Sequence, residues 1–242
     1  MAELITDLKT LKAKREAKEA QAELRNRPKA KWFTLAPKQT KTVQFLNELS
    51  KEADNYNEAH GTFLGALVHQ AHGKDGFRSK ALDTMEEEGR DYAQEMYEKY
   101  RDRGEDGWRP QEKFYINVAV KLPDGSVEAQ ILERNLYSMF VEDLTEIYDD
   151  SEGVGITGRT FTITRRGEGN QTVWKIKESS EELDISGVEP WVLTEYAVRK
   201  VPYAQQKEFY GRNYTPELEV LEDEGTENTS GEAGAPEEDL DW

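Results

Sequence analysis

The chain has 242 residues, a formal net charge of -17 and no cysteine, so disulfide bonds and thiolate metal ligands are excluded. Its length suffices for one sizeable domain, and a hydrophobic content of 36% leaves solvated segments beside it. No apolar run reaches the roughly 18 residues that a membrane span needs. The N-terminus alternates charges where a signal peptide would be apolar. We therefore expect a cytoplasmic protein that does not enter a membrane.

The N-terminal segment, residues 1–30, is predicted to form a basic amphipathic helix. Leucine and alanine recur at helical spacing from Leu4 to Leu24, and Pro28 disfavours continuation. Residues 1–41 hold 11 basic and 5 acidic residues. The helix either docks on its own domain or acts as an arm that contacts DNA or a neighbouring subunit.

Residues 31–215 are predicted to form the folded core, with a helical insert at about 70–110. Short extended runs predict strands at 40–49, 62–69, 112–122, 126–133, 155–164, 172–178 and 191–197. The turn signals PDG at 123–125 and RGEGN at 166–170 indicate hairpins. Helical stripes run between 81 and 103 and from Leu136 to Ile147. The fold class is therefore mainly β with some α, built on a small antiparallel barrel or sheet.

The hairpin of residues 159–177 carries five basic residues and one acid. Alternation places Phe161 with Arg159 and Arg165, and places Trp174 opposite Lys175. Such mixed faces suit single-stranded nucleic acid, because cations follow the phosphates while bases stack on rings. The alternative is that the rings belong to the core; the cations face outward in both cases. The candidate DNA-binding residues here are Arg159, Phe161, Arg165, Arg166, Trp174, Lys175 and Lys177.

Four further residues are candidates for the same role. In KFYINVAV, alternation places Phe114 inside and Tyr115 and Asn117 on the opposite face, where a ring could stack on a base and an amide could hydrogen-bond it. Trp32 and Arg78 are included because Lys31–Trp32 and Phe77–Arg78 repeat the pairing of ring with cation.

The C-terminal segment, residues 216–242, is predicted to be a disordered tail, since residues 217–242 hold 11 acids and no base. A tethered polyanion competes with DNA phosphates for a cationic groove, so the tail can guard the groove until DNA displaces it. The terminal residues Asp239, Leu240, Asp241 and Trp242 offer apolar anchors among charges, suited to a partner protein. The alternative is a tail that only maintains solubility.

An ordered set of segments resembles the single-stranded-DNA-binding proteins of actinobacterial phages, which are similar to the helix-destabilising proteins of T-even phages. The segments are KWFTLAPKQTKTVQFLNEL, YNEAHGTFLGALVHQAHGKDGFRSKAL, RPQEKFYINVAV, GRTFTITRRGEGNQTVWKI and VPYAQQKEFYG. The resemblance implies an OB-fold core that coats unpaired DNA in replication, recombination and repair in the host cytoplasm. It also implies self-association on DNA through the basic N-terminal region and recruitment of replication and recombination proteins by the acidic tail.

The resemblance has one departure. Members of the family often carry a zinc-binding insert with one histidine and three cysteines; His69 stands at the histidine position, and Asp83, Asp91 and Gln94 stand at the cysteine positions. Because structural zinc prefers thiolates and imidazoles, we expect no metal and no other cofactor. The insert is then expected to be held by an apolar stripe: Leu82, Met85, Tyr92, Met96 and Tyr100. A residual site of His60, His69, His72 and Asp75 is the alternative.

Two other functions compete with DNA binding. The sequence lacks the usual nucleophile, metal and phosphate-loop motifs, so we do not expect an enzyme. A Mg²⁺-dependent nuclease is the enzymatic alternative, with Asp149 and Asp150 as the nearest carboxylate pair. The net charge of -17 also suits an acidic DNA mimic that inhibits a host DNA-binding protein, although a mimic needs its acids spread over the folded surface.

Overall fold

The computed structural model describes residues 28–72, 78–103, 108–168 and 171–211, together with Leu8, Lys12 and Arg15. These three N-terminal residues are helical and exposed. The rest of the expected N-terminal helix and the expected tail at 216–242 lie outside the described residues. None of the described helices has the length and apolar character needed to cross a bilayer.

The described chain contains seven strands and five α-helices. In order they are β1 (Thr40–Phe45), β2 (Leu64–His72), β3 (Arg78–Leu82), α1 (Met85–Glu88), α2 (Tyr92–Tyr100), β4 (Gln111–Lys121), β5 (Val127–Asn135), α3 (Met139–Asp149), β6 (Thr160–Arg166), β7 (Val173–Ser179), α4 (Leu193–Tyr196) and α5 (Tyr203–Tyr210). A short 3₁₀ turn, Arg101–Arg103, follows α2.

The strands form one antiparallel sheet in the order β3-β2-β4-β1-β6-β7, with β5 paired to β4. The long strand β4 pairs with β5 from Lys113 to Lys121, while its other edge is shared by β2 and β1. The sheet curves around a core without closing, because β5 and β7 are not paired. Instead, residues 31–33 extend the free edge of β5, where Phe33 N donates to the Ile131 carbonyl at 2.8 Å.

The main core lies between the inner face of this sheet and α3. Alternate residues of β4 point into this core, and Phe140 and Leu144 of α3 pack against it from the side opposite the sheet. Phe33 and Trp174 contribute rings near the open seam between β5 and β7. The core therefore ends where the sheet fails to close, which brings aromatic rings close to the surface there.

Six of the seven predicted strands are confirmed, and the hairpin at 123–125 is confirmed by the Leu122 N to Ser126 carbonyl bond of 2.8 Å. The prediction of a strand at 191–197 is wrong, because Leu193–Tyr196 is helical. Leu193 and Ala197 are both buried and stand four residues apart, which is helical spacing. The strand β3 was missed, since its sequence RSKAL is short and polar.

The predicted helix between 81 and 103 is also divided differently. Leu82 ends β3, and α1 and α2 are separated by Gly89, which adopts a left-handed φ of 70°. The expectation that the stripe holds the insert is wrong in part, because Met85 is 42% exposed. The buried cluster there consists of Ala81, Ala93, Val201, Phe209 and Tyr210, against which Tyr92 and Trp108 pack. The C-terminal helix α5 thus supplies much of the apolar surface that holds the insert.

Candidate nucleic-acid interface

The rings of the predicted DNA-binding hairpin belong mainly to the core. Phe161 is fully buried, and Trp174 is 9% exposed. The Trp174 ring meets Phe33 edge-on at 5.6 Å and Phe140 at 6.2 Å between centroids. Of the two interpretations of these aromatics, the structure therefore favours the core, with one face of Trp174 left for a cation described below.

Two of the hairpin cations do not face outward as expected. Arg159 makes a bidentate pair with Glu178, with nitrogen–oxygen distances of 2.7 and 3.0 Å. The hydrogen bonds that Arg159 donates to the Glu178 carboxylate raise the pKa of the Arg159 guanidinium. Arg165 is half-buried and donates from Nη1 to the Leu35 carbonyl at 2.9 Å. Arg159 is therefore already neutralised by an acid, whereas Arg165 is held by a neutral carbonyl.

The other three hairpin cations lie on the outer surface. Lys175 and Lys177 alternate with the buried side of β7 and are exposed, as is Arg166 at the end of β6. Lys175 Nζ lies 3.8 Å from an Asp143 carboxylate oxygen. Within the described ranges, no carboxylate lies within 4.0 Å of Lys177 or Arg166. These two residues are available to an external anion.

The expected exposure of Tyr115 and Asn117 is wrong, since both are fully buried. Tyr115 packs with Ile131 under Leu193 and Ala197. The Asn117 side chain exchanges two hydrogen bonds with the Trp191 backbone, of 2.9 and 3.0 Å. Both faces of β4 are thus covered, the outer one by residues 191–197, so neither side chain is presented to a ligand.

Trp32 lies on the surface as expected, with 39% of its area exposed. Lys80 Nζ of β3 stands 5.5 Å from the Trp32 ring centroid and 5.4 Å from that of Tyr115. Arg78 begins β3, and its side chain is outside the described residues. An exposed ring with a lysine beside it is what a stacked base and its phosphate require.

Lys113 of β4 lies next to this pair and is crowded by other charges. Its Nζ donates to Asn135 Oδ1 at 2.7 Å and stands 3.7 Å from a Glu133 oxygen. The same carboxylate also pairs with Lys80. Burial lowers the pKa of the Lys113 ammonium; the Glu133 carboxylate opposes that shift, and the charges of Lys80 and Arg134 add to it.

Arg134 of β5 places a further positive charge at the open seam between β5 and β7. Its Cζ lies 4.4 Å from the Trp174 ring centroid, and its Nε is buried without a hydrogen-bond partner. Burial lowers the pKa of the Arg134 guanidinium, and the nearby Arg165 charge adds to that shift while Glu133 opposes it. In the described part of the chain, no carboxylate lies within 4.0 Å of Arg134 or Arg165.

We call these four cations the cationic band: Lys80, Lys113, Arg134 and Arg165. Glu133 pairs with Lys80 and Lys113 and acts electrostatically on Arg134 at longer range. Lys80 and Lys113 stand on one side of β5 and Arg134 on the other, because Glu133 and Arg134 are consecutive in the strand. A row of partly desolvated cations with one acid is an arrangement that a polyanion can neutralise.

Sequence reasoning did not select Lys80, Lys113 and Arg134 for the site. One signal was present: Arg134 follows Leu132 by two residues in a strand, so alternation places it on the core side. A cation on a core face has to find a partner or an opening. The ring contact with Trp174, by contrast, depends on a strand that begins 38 residues after β5 and is not visible in the local pattern.

The remaining candidates are placed as follows. Asp149 and Asp150 are exposed at the C-terminal end of α3. Asp239, Leu240, Asp241 and Trp242 are outside the described residues. Among the described residues, one group of three potential metal ligands lies within 4.8 Å: His69, Asp83 and Asp91. His60 is not in that group; its Nδ1 lies 3.0 Å from the Leu46 carbonyl. The side chains of His72 and Asp75 are not described.

The chain matches no model of a known protein family, and a search of curated proteins finds no relative.

Proposed function

We propose that the protein binds single-stranded DNA with little sequence preference, through the cationic band and the exposed ring of Trp32. The observation that carries the proposal is a group of cations with few acids on a chain whose net charge is -17: Lys80 and Lys113 pair with Glu133, while Arg134 and Arg165 have no carboxylate within 4.0 Å in the described chain. Burial lowers the pKa of both Lys113 and Arg134. A phosphate bound beside either residue would favour its charged form, and release of counterions from DNA would add to the affinity.

We further propose that the sheet is an OB-like barrel. Strands β1, β4 and β5 form a meander, α3 follows, and the β6–β7 hairpin returns so that β6 pairs with β1. A five-stranded, partly open Greek-key barrel that binds nucleic acid on its second and third strands has this character. In that assignment, β4 and β5 are the second and third strands, and they carry Lys113 and Arg134. The β2–β3 hairpin with α1 and α2 is then an insert that adds Lys80.

The outer cations of the β6–β7 hairpin extend the proposed interface. Arg166 and Lys177 are exposed without a close acid in the described chain, and Arg166 ends the strand in which Arg165 lies. A strand of DNA that leaves the cationic band past Arg165 would meet Arg166 next. Lys175 and Lys177 lie on the opposite side of this ribbon from Trp174, so they would contact DNA only where the strand turns around the hairpin.

The tails complete the proposal, in line with the resemblance to phage proteins. The acidic segment 217–242 would compete with DNA for the cationic band and, when displaced, recruit replication and recombination proteins through its last four residues. The basic N-terminal segment would mediate contacts between neighbouring copies on DNA. These roles would suit a protein that protects unpaired DNA in replication, recombination and repair.

The rival functions have less support. A DNA mimic needs acids spread over its folded surface, whereas the cationic band and the exposed Arg166 and Lys177 interrupt the negative charge. A Mg²⁺ nuclease needs converging carboxylates. Asp149 and Asp150 stand at the end of α3 and belong to no group of three close ligands in the described chain.

Titration of the full chain with dT oligomers and with duplex DNA tests the proposal. We expect single strands to bind far more tightly, and we expect log affinity to fall with log salt at a slope of about -3 for four phosphate contacts. Incubation with Mg²⁺ should leave the strand intact, whereas cleavage would favour the nuclease. Absence of binding in dilute buffer would overturn the proposal and favour the mimic.

A further inference from the structure

We infer that the insert is closed by a metal-independent polar clasp, built by His69, Asp83, Asp91 and Gln206, at the place where the resemblance implies a zinc centre. Three of these residues, His69, Asp83 and Asp91, stand at positions that the resemblance matches to the family's zinc ligands. The fourth comes from α5, more than 110 residues further along the chain. The donor set and its hydrogen bonds decide whether a metal fits.

Both ring nitrogens of His69 have a hydrogen-bonding neighbour within the protein. It is fully buried, and its Nδ1 lies 2.9 Å from the Trp108 carbonyl oxygen. Its Nε2 lies 2.9 Å from Asp83 Oδ2 and 3.8 Å from Asp91 Oδ1. The Asp83 carboxylate thus occupies the position beside Nε2.

Asp91 is likewise engaged by both oxygens. Its Oδ1 accepts the backbone N–H of Gln94 at 2.9 Å, which caps the first turn of α2. Its Oδ2 accepts from Gln206 Nε2 at 2.8 Å and from the Thr84 backbone N–H at 3.1 Å. These bonds satisfy a fully buried carboxylate, which is costly to desolvate without partners. A metal would have to displace them.

The fourth matched position does not point towards the group. The Gln94 side chain donates to Glu98 at 2.9 Å along α2. What remains is one imidazole and two carboxylates, while structural zinc is held by four ligands, mainly thiolate and imidazole. The residues present therefore do not fit the zinc centre that the resemblance implies.

Gln206 supplies the link that a metal would otherwise make. It is fully buried in α5, accepts the Tyr92 backbone N–H at 2.6 Å and donates to Asp91. Two hydrogen-bonded pairs, His69 with Asp83 and Gln206 with Asp91, thus lie side by side, with His69 Nε2 3.8 Å from Asp91 Oδ1. Phe209 and Tyr210 of the same helix pack on the insert beside it. The clasp fixes the end of β3, the strand that carries Lys80.

The test uses the full chain. Elemental analysis of the purified protein should find far less than one zinc per chain. EDTA and added Zn²⁺ should each leave the melting temperature unchanged. Replacing Gln206→Leu should lower the melting temperature by about 5 °C, whereas Lys207→Ala, at an exposed neighbouring position, should not. Stoichiometric zinc, a loss of stability in EDTA, or equal behaviour of the two variants would overturn the clasp.

If Gln206→Leu does not fold, the metal-content and EDTA measurements on the unchanged chain still decide the question, and Asp91→Asn provides a milder variant. Resting on the proposed function, DNA binding should also be unchanged in EDTA. The stability readouts do not involve DNA, so failure of the proposed function and failure of the clasp are distinguishable.

Discussion

The guanidinium of Arg134 lies over the indole of Trp174, with Cζ 4.4 Å from the ring centroid. This contact joins the third strand of the proposed barrel to the last, across the seam where β5 and β7 are not hydrogen-bonded. A cation stacked on an indole contributes about 0.5–2 kcal/mol, depending on its solvation. The contact also holds in place a positive charge that has no close acid in the described chain. The same pair therefore contributes to the stability of the fold and to the proposed binding of DNA.

The first prediction concerns this charge. Arg134→Met keeps an unbranched apolar stem beside Trp174 but removes the guanidinium and its charge. We expect the affinity for dT oligomers to fall about tenfold, or 1.4 kcal/mol. The salt slope should become shallower by about 0.7, as for one lost phosphate contact.

Arg159→Met is the matched control, because the Arg159 guanidinium is already paired with Glu178. It should change the affinity for DNA by less than about twofold, since an exposed ion pair contributes little. An equal loss of affinity in both variants would mean that total charge, and not the cationic band, controls binding.

The second prediction concerns Trp32, whose ring is 39% exposed beside Lys80. Trp32→Ala should weaken the binding of dT oligomers by about 1–3 kcal/mol, the range for one stacked base. Trp32→Phe should keep most of the affinity because it keeps a ring. It should, however, abolish most of the fluorescence quenching on binding. Fluorescence quenching that persists in Trp32→Phe would show that the base stacks on another ring.

The third prediction concerns pH. Burial holds the pKa of Lys113 below its ordinary 10.5, and the Lys80 and Arg134 charges lower it further, with Glu133 opposing. A bound phosphate favours the charged ammonium and raises this pKa, so binding takes up protons. Affinity should therefore decline as pH rises above neutrality through the pKa of the free protein, and should level off above that of the complex.

Oligo(dA) is the ligand for this measurement, since adenine, unlike thymine, does not lose a proton in this alkaline range. Lys113→Arg is the control, because arginine stays charged throughout. Its affinity should be nearly independent of pH over the same range. A decline of the same size in Lys113→Arg would assign the effect to another group.

Much of the sheet follows from local sequence patterns, and the hairpins show why. Alternation predicts that Arg165 and Phe161 share a face of β6, and the register places Arg165 directly opposite Trp174 of β7. The two-residue alternation of a strand shows which side chains share a face, but it does not show which other segment covers that face. Tyr115 and Asn117 were assigned correctly to the outer face of β4, yet that face is covered by Trp191 and Leu193, about 75 residues later in the chain.

The cationic band and the clasp were beyond local patterns for the same reason. Lys80, Lys113 and Arg134 come from three strands, and their proximity depends on the order of β3, β2, β4 and β5 in the sheet. Gln206 meets Asp91 across 115 residues. The resemblance did single out His69, Asp83 and Asp91 as a set, and the structure brings them within 4.8 Å of one another. The hydrogen bonds that replace a metal were visible only in three dimensions.

The fourth prediction concerns Asn117, which sequence reasoning placed in the interface. Its side chain bonds the Trp191 N–H at 3.0 Å and the Trp191 carbonyl at 2.9 Å. Asn117→Ala leaves these buried backbone groups unpaired, so we expect the free energy of unfolding to fall by about 2–4 kcal/mol in urea titrations. Where the variant is folded, it should bind DNA with unchanged affinity. A loss of affinity for DNA without a loss of stability would show that Asn117 contributes to the interface after all.

The fifth prediction concerns the acidic tail. Removing residues 217–242 deletes 11 acids and no base. If the tail competes with DNA at the cationic band, truncation should tighten binding about tenfold at low salt, since a tethered competitor acts at roughly millimolar effective concentration. The gain should disappear as salt screens both interactions. The matched control keeps the length of the tail but replaces its acids by glutamine or asparagine, and it should behave like the truncation. Weaker binding after truncation at low salt would instead show that the tail supports the complex with DNA.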